Sequence, residues 1–492
     1  MNIISLPKRI AARTQVLKKK DNSMIRFMDR KFLPVGQGAF YCERFMTPGR
    51  TINIVYDCGT FSGMDVFQRE LDREFNQDDI IDAVFISHLH EDHFNGLERL
   101  SHRCKIQRIY LPHIEPLYLK LTQLDYVIRN PIPPDNNTQD LVNRVLGDET
   151  MMDDNGLKEI LQPLCREVND GEGGAESDSY YHINNHDTIT AEQKGPIFVH
   201  DSQPSIVSRI GPSLGHQGLS SYDSWHFKAF CIKNHEVIKM INGKLKKFIE
   251  DELRKVNKLV EDDNLPNQIA KLIREIKSKY GVPKNGQPAH GQPTESANKF
   301  LKRIRSKVYD MFLNEELNAN SLVLYSGCDI RSGLAVVRRP MCCSVKAAHG
   351  NMCCHPVGKV GCLYTGDFDA KAHWDNLYDG LTLEEWQTIG CIQIPHHGSE
   401  RSFNEKFLDN NPFPGPATCH VISAGLGNGY KHPSESVIKM YNQRHCFPIV
   451  VTQDPGSLAE WRIQKPECVP WPRYYYDLPE YWTMRFYRGL YP

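Results

Sequence analysis

The stretch AVFISHLHEDHFNG, Ala83 to Gly96, decides the fold. Its first four residues form an apolar run too short for a helix, which reads as a buried strand. The run ends in His88, His90, Asp92 and His93, in the order HxHxDH. Two imidazoles two residues apart at a strand end can face one cation, while an aspartate and a third imidazole just beyond turn toward a second cation beside it. The spacing predicts a dinuclear metal pocket.

Short β-type runs alternate with helix-like stretches around this motif. KFLPVGQGAFYCERF (31–45), TINIVYDCG (51–59), IDAVFISH (81–88) and IQRIYLPHI (106–114) read as strands, with MDVFQRELDREF (64–75) as a helix between them. Such an order predicts α/β layers. Beyond residue 115 the pattern weakens, and DGEGGAESDSYYHINNHD (170–187) is too polar for a core element and reads as an exposed loop. A strand returns at WHFKAFCI (225–232). Apolar residues at helical spacing then run from Ile238 to Val260, Leu265 to Ile276 and Leu301 to Met311, the last two flanking the linker GVPKNGQPAHGQP (281–293). Strands resume in SLVLYSG (321–327), GCLYTGD (361–367), IGCIQIP (389–395), CHVISAG (419–425) and PIVVT (448–452). The expected organisation is an N-terminal extension (1–30), a first half-domain (31–114), a loop-rich insertion with a returning strand (115–233), a helical insertion (234–317), a second half-domain (318–457) and an aromatic C-terminal segment (458–492).

A chain of 492 residues is long enough for two or three domains, or for one large domain carrying insertions. With 40% hydrophobic and 24% charged residues, and no apolar stretch approaching the roughly 20 residues of a membrane span, the composition excludes a membrane channel. The basic N-terminus has no apolar core followed by small residues, so it does not read as a secretory signal, and a cytoplasmic location is expected. Fifteen scattered cysteines suit reduced thiols. Lys plus Arg (59) nearly balances Asp plus Glu (60), so nucleic-acid binding would have to be local. The richest local source is Asn234 to Asp310, with 17 Lys and Arg against 10 Asp and Glu.

HxHxDH followed by Asn95-Gly96-Leu97 resembles the first metal motif of the metallo-β-lactamase-fold hydrolases. The resemblance implies an α/β fold, a metallo-β-lactamase-like αββα sandwich, here interrupted by a helical insertion. Later motifs fall in the order that family requires. Thr365-Gly366-Asp367 looks like its bridging aspartate, one carboxylate offering an oxygen to each metal. Asn320 before SLVL, His396-His397-Gly398-Ser399 after a strand, the N-x-Y-x-HP stretch (Asn428, Tyr430, His432, Pro433) and Thr452 with Gly456 closely resemble the hydrolase domain of bacterial competence (DNA-uptake) channel proteins. That resemblance covers roughly 31–113 and 318–457. Two departures stand out: His90 occupies a position where many of those proteins have Asp, and the channel's membrane helices are absent. No separate histidine marks the family's third ligand of metal 1, since His216, His226 and His235 lack a clear motif.

The resemblance implies that His88, His90 and one of His396 and His397 hold metal 1. Asp92, His93 and His432 then hold metal 2, with Asp367 between them. Asp92, His396 and His397 are also the catalytic candidates, the histidine pair either as a ligand or as a donor that orients one or protonates a leaving group. Zinc is the expected metal on such imidazole-rich donors, with manganese and iron as alternatives. Two cations would activate a water as hydroxide and stabilise charge on a phosphoryl or carbonyl oxygen.

Weaker features have plainer readings. Cys342-Cys343 and Cys353-Cys354-His355, with His349 nearby, read as a thiol-rich hairpin insertion, with a structural zinc as the alternative. Asp57 reads as a structural strand end. The C-terminal aromatics, among them Trp471, Tyr474, Tyr481 and Trp482, read as packing, with base stacking as the alternative. The leading function is a metal-dependent phosphodiesterase or nuclease acting on nucleic acid or a nucleotide. The alternatives are hydrolysis of a small nucleotide signal, thioester or lactam-like ring, and a metal-holding effector without catalysis. No membrane partner is expected, and the helical insertion is the candidate face for a second copy or another protein.

Overall fold

A computed structural model describes residues 25, 27–47, 50–130, 140–151, 153–166, 180–183, 189–190, 194–200, 205–210, 224–231, 246–255, 264–280, 295–308, 321–328, 334–338, 359–409, 418–444 and 446–464. Most of the segment 170–187, the 281–293 linker, the cysteine cluster, the aromatic tail beyond 464, and His216, His235 and Asn320 lie outside these residues; within 170–187, expected as an exposed loop, Tyr180–Ile183 instead forms a strand paired with Ser205–Ile210.

Two mixed sheets face each other. The first has eight strands in the order Gly195–Val199, Arg108–Pro112, Ala83–Phe85, Thr51–Thr60, Gly38–Met46, Phe27–Phe32, Ala459–Gln464 and Ala335–Arg338. The second has nine, in the order Ile449–Val451, Cys419–Ser423, Ile389–Gln393, Gly361–Tyr364, Val323–Cys328, Trp225–Phe230, Ser205–Ile210, Tyr180–Ile183 and Ile189–Thr190. A two-stranded pair joins Ile80–Ile81 to Lys105–Ile106.

Strand periodicity explains the layering, because alternate side chains enter different apolar clusters. In Thr51–Thr60, Ile54 and Tyr56 point between the sheets, where they meet Phe85, Phe227, Leu324 and Val421. Val55 between them points outward into a cluster with Phe67 and Leu71 of the helix Met64–Glu74 and Leu100 of the helix Leu97–Arg103. On the second sheet, Tyr325 and Leu363 pack outward against Trp374, Trp386 and Tyr441 from the helices Trp374–Asp379, Leu383–Thr388 and Glu435–Gln443. The result is helix, sheet, sheet, helix. A polar tie crosses the middle: Glu43 of the first sheet accepts from Arg30 at 2.7 Å and from Ser326 (2.5 Å) and Tyr364 (2.9 Å) of the second.

The segment after residue 115 is more ordered than its pattern predicts. It forms the helices Pro116–Arg129, Leu141–Leu146 and Asp154–Leu161 and gives strands to both sheets. Pro116–Arg129 is buried almost all round, so it lacks the one-sided apolar stripe that sequence reading depends on. Within the helical insertion, Leu265–Tyr280 packs Leu265, Ile269, Leu272, Ile273 and Ile276 into the same outer cluster as Pro116–Arg129. No helix among the described residues is long and apolar enough to cross a membrane.

Candidate metal centre

The ends of neighbouring strands deliver the site. His88 and His90 follow Ala83–Phe85, and Asp92 and His93 sit on the short helix Glu91–Phe94. Asp367 follows Gly361–Tyr364, and His396 and His397 follow Ile389–Gln393. His432 lies between Cys419–Ser423 and Glu435–Gln443.

Local chemistry fixes each turn. The buried Gln393 amide accepts from the backbone N–H groups of Thr365 and Gly366 at 2.7 Å each and donates to the Gly366 carbonyl at 3.1 Å, so Asp367 starts from a braced loop. His396, His397 and Gly398 adopt φ of 49°, 54° and 76° in succession. Such left-handed residues are costly for side chains other than glycine and persist where the surroundings over-determine them. Gly59 lies against the metal motif itself: a Cβ there would sit 2.6 Å from the Asp92 carbonyl carbon and 2.7 Å from the His93 nitrogen.

Asp367 is the hub. Its Oδ1 lies 3.2 Å from His93 Nε2 and 3.8 Å from His397 Nε2, and its Oδ2 lies 3.7 Å from both His88 Nε2 and His396 Nε2. Asp92 Oδ2 is 3.2 Å from His397 Nε2, and its Oδ1 is 3.9 Å from His93 Nε2. Two overlapping donor groups result, His88, His93 and Asp367, and Asp92, His93 and His397, all buried.

A further ring of contacts sets the tautomers. His93 Nδ1 donates to Asp57 Oδ2 at 2.8 Å, and His397 Nδ1 donates to the Ser423 carbonyl at 2.8 Å. Ser87 Oγ donates to Asp57 at 2.8 Å and therefore accepts from His88 Nδ1 at 2.9 Å. Each imidazole thus turns Nε2 inward as a lone-pair donor, the arrangement that outer hydrogen bonds impose on metal-binding histidines. Nε2 of His88, His93 and His397 and Oδ1 of Asp367 are buried without a hydrogen-bond partner. Orphaned polar atoms are costly in a protein interior, and a divalent cation is what this donor set would satisfy. The residues present fit a divalent metal centre.

Electrostatics agree. Burial pulls the His93 imidazole down, but Asp367, Asp57 and Asp92 outweigh it and hold it well above its ordinary value. Burial pushes Asp367 up, but His396, His93 and His397 hold it well below the usual carboxylate range. Burial, reinforced by His93 and His90, keeps His88 well below its ordinary value. The pocket accordingly favours positive charge beside Asp367.

His90 and His432 join neither close group. The His90 ring lies 4.5 Å from His88, while that of His432 lies 5.5 Å from His396 and 6.5 Å from His397. His397 therefore stands beside Asp92 and His93, where the sequence suggested His432. Burial, with His396 and His397, pushes His432 down to about 3. Of the weaker candidates, His226 lies 3.6 Å from Glu385, away from this cluster. Asp57 does more than end a strand, since it orients His93; its sequence signal was a carboxylate at a strand end facing the motif. Ser87, Gln393 and the Ser423 carbonyl gave no such signal. A narrow pocket lined by Leu89, Pro112, Ile114, Tyr118, Leu119 and Thr122 opens beside His88 and His90.

Residues 46–201 match the family described as the Metallo-beta-lactamase superfamily. Over 103 residues the chain is 27% identical to ComE operon protein 3 of Bacillus subtilis (strain 168), a match covering 20% of this chain and only 12% of that relative's length. The two-sheet sandwich, the strand-end HxHxDH motif and the family match together establish that this chain carries a metallo-β-lactamase superfamily domain.

Proposed function

We propose that the protein is a metal-dependent phosphodiesterase, acting on nucleic acid or a nucleotide in the cytoplasm with two zinc ions. Its superfamily is generally hydrolytic. The observation that carries the reading is the set of three buried imidazoles, each with an orphaned Nε2, gathered around Asp367. In the proposed assignment His88 and His90 hold one cation, Asp92, His93 and His397 hold the other, and Asp367 lies between. Bound there, two cations lower the pKa of a water and neutralise charge developing on a phosphoryl oxygen. The chain's own residues do the rest. Asp57, Ser87 and the Ser423 carbonyl hold the imidazoles in their working tautomers, and burial excludes bulk water. His396, whose Nδ1 meets Ser402 Oγ at 2.9 Å, stands at the rim and is the candidate to pass a proton to the leaving group, with the His432 ring 5.5 Å away to position it.

The resemblance of the later motifs to the hydrolase domain of DNA-uptake channels supports a phosphodiester substrate. Two observations favour the small-substrate alternative. The pocket beside His88 is narrow and largely apolar. Four basic side chains of the helical insertion, Lys255, Arg274, Lys277 and Arg303, are engaged with Glu252 or Glu149 rather than presented as an uncompensated basic face. Elemental analysis combined with a panel of single-stranded DNA, duplex DNA, RNA, bis-p-nitrophenyl phosphate, a thioester and a lactam tests the reading. Close to two metal ions per chain and chelator-sensitive phosphodiester cleavage are expected. Turnover of only the thioester or lactam would transfer the assignment to the alternative.

A further inference from the structure

A second cluster of metal-type donors lies outside the site described above. His113 follows the strand Arg108–Pro112, His200 follows Gly195–Val199, and these strands pair in parallel with Pro112 opposite Val199. The His113 N–H continues the ladder by donating to the Val199 carbonyl at 2.9 Å. Register therefore sets the two histidines side by side, with ring centroids 4.4 Å apart and planes 30° from parallel. The third member comes from another element. Asp154 opens the helix Asp154–Leu161, whose start is fixed by Asp153 accepting from the N–H groups of Asn155 and Gly156. Its Oδ2 lies 2.5 Å from His113 Nδ1, and one donor atom from each of His113, Asp154 and His200 lies within 4.8 Å of the others.

We propose that His113, Asp154 and His200 form a third transition-metal site, separate from the dinuclear centre. Two imidazole nitrogens and one carboxylate oxygen are the donor types that suit zinc and its neighbours. Donors about 2.1 Å from a tetrahedral ion stand about 3.4 Å apart. The His113–Asp154 pair, at 2.5 Å, would open by about 0.9 Å to reach that spacing as an ion takes the place of their shared proton, and the three donor atoms already lie within 4.8 Å of one another. His113 and Asp154 are half-buried and supply the fixed part of the site. With His200 exposed, the remaining coordination positions face water, so this ion exchanges more readily than the buried pair.

The position gives such a site a role. Arg108–Pro112 is flanked by Ala83–Phe85 and Gly195–Val199, all three parallel, so His88, His113 and His200 emerge from the same edge of the sheet. Neighbouring strands are about 4.8 Å apart, which places the third site, shared by the first and second neighbours, roughly 5 to 10 Å from the strand that carries HxHxDH. An ion there would pin the helix Asp154–Leu161 to two strand ends beside the catalytic face.

Equilibrium dialysis of the chelator-stripped full chain against zinc, followed by elemental analysis, tests this. The comparison is wild type against His200→Ala, His200→Gln and Asp154→Asn, with circular dichroism confirming that each is folded. Because His200 is exposed, its replacement leaves the core intact. Both His200 variants and Asp154→Asn are expected to bind one equivalent fewer than wild type, and the thermal midpoint of wild type alone should rise as that last equivalent is added. Equal stoichiometry in wild type and the folded His200 variants would overturn the proposal. The comparison reads a difference of one ion, so it stands apart from whether the central site holds two.

Discussion

Nδ1 of His93 and Oδ2 of Asp57 are 2.8 Å apart, joining the second half of the metal motif to a strand 36 residues earlier in the chain. The same carboxylate accepts the Ser87 N–H at 2.6 Å and the Ser87 hydroxyl at 2.8 Å. One buried aspartate thus holds His93 directly and His88 through Ser87. Asp57→Asn removes the charge but tolerates the left-handed backbone at this position, where φ is 51°. Its affinity for the metal ions is expected to fall about 10- to 100-fold with the fold retained, as read by metal titration and circular dichroism.

Asp367→Asn should reduce both metal content and turnover, because a neutral amide balances two dications poorly and four imidazoles converge on this group. Near-normal metal content in this variant would remove Asp367 from the centre.

His397→Ala and His432→Ala separate the two candidates for the ligand beside Asp92. The first is expected to lose about one metal ion per chain, since His397 Nε2 is 3.2 Å from Asp92. The second should keep its metals and lose turnover, with the loss concentrated in kcat. Elemental analysis and steady-state kinetics on one preparation read both, and the opposite pattern would restore His432 as the ligand.

Gly59→Ala forces a methyl group onto the backbone of Asp92 and His93, which cannot yield as a flexible side chain would. A stability loss of about 3 kcal/mol is expected, together with weakened metal binding, measured by denaturant unfolding and titration.

Glu385 tests the tie between the strand Trp225–Phe230 and the second half of the domain. It caps the helix Leu383–Thr388 and meets Lys228 at 2.9 Å. Burial raises its pKa, but His226, the Thr382 N–H and Lys228 outweigh this and bring it to about 2 from an ordinary 4.5. A depressed carboxylate stabilises the fold above its unfolded value and loses that contribution as pH falls through its folded one, here between 4.5 and about 2. Glu385→Gln should cost roughly 2 kcal/mol near neutrality, and the gap to wild type should shrink steadily below pH 4.5. Denaturant midpoints at pH 7, 4 and 3 measure it.

The parts of the site that the sequence made legible are those written locally. HxHxDH declares itself because its donors lie within eight residues of a strand end, and Asp367 because a turn follows an apolar run. The choice between His397 and His432 was not legible. It depends on three successive left-handed residues and on the Ser423 carbonyl meeting His397 Nδ1. The strands of both halves show through their alternation, whereas Pro116–Arg129, buried on nearly every side, has no polar face to mark its period.

The strand Phe27–Phe32 is completed by Ala459–Gln464, with Phe27 opposite Gln464 and Arg462 gripping Asp29 through two 2.7 Å contacts. The first sheet therefore cannot finish closing until residue 464 has left the ribosome. His93 and His397 are separated by 304 residues, which at typical synthesis rates is roughly 15 to 60 seconds. During that interval the nascent chain carries His88, His90, Asp92 and His93 without Asp367, His396 and His397, so the donor cluster is assembled only late in synthesis.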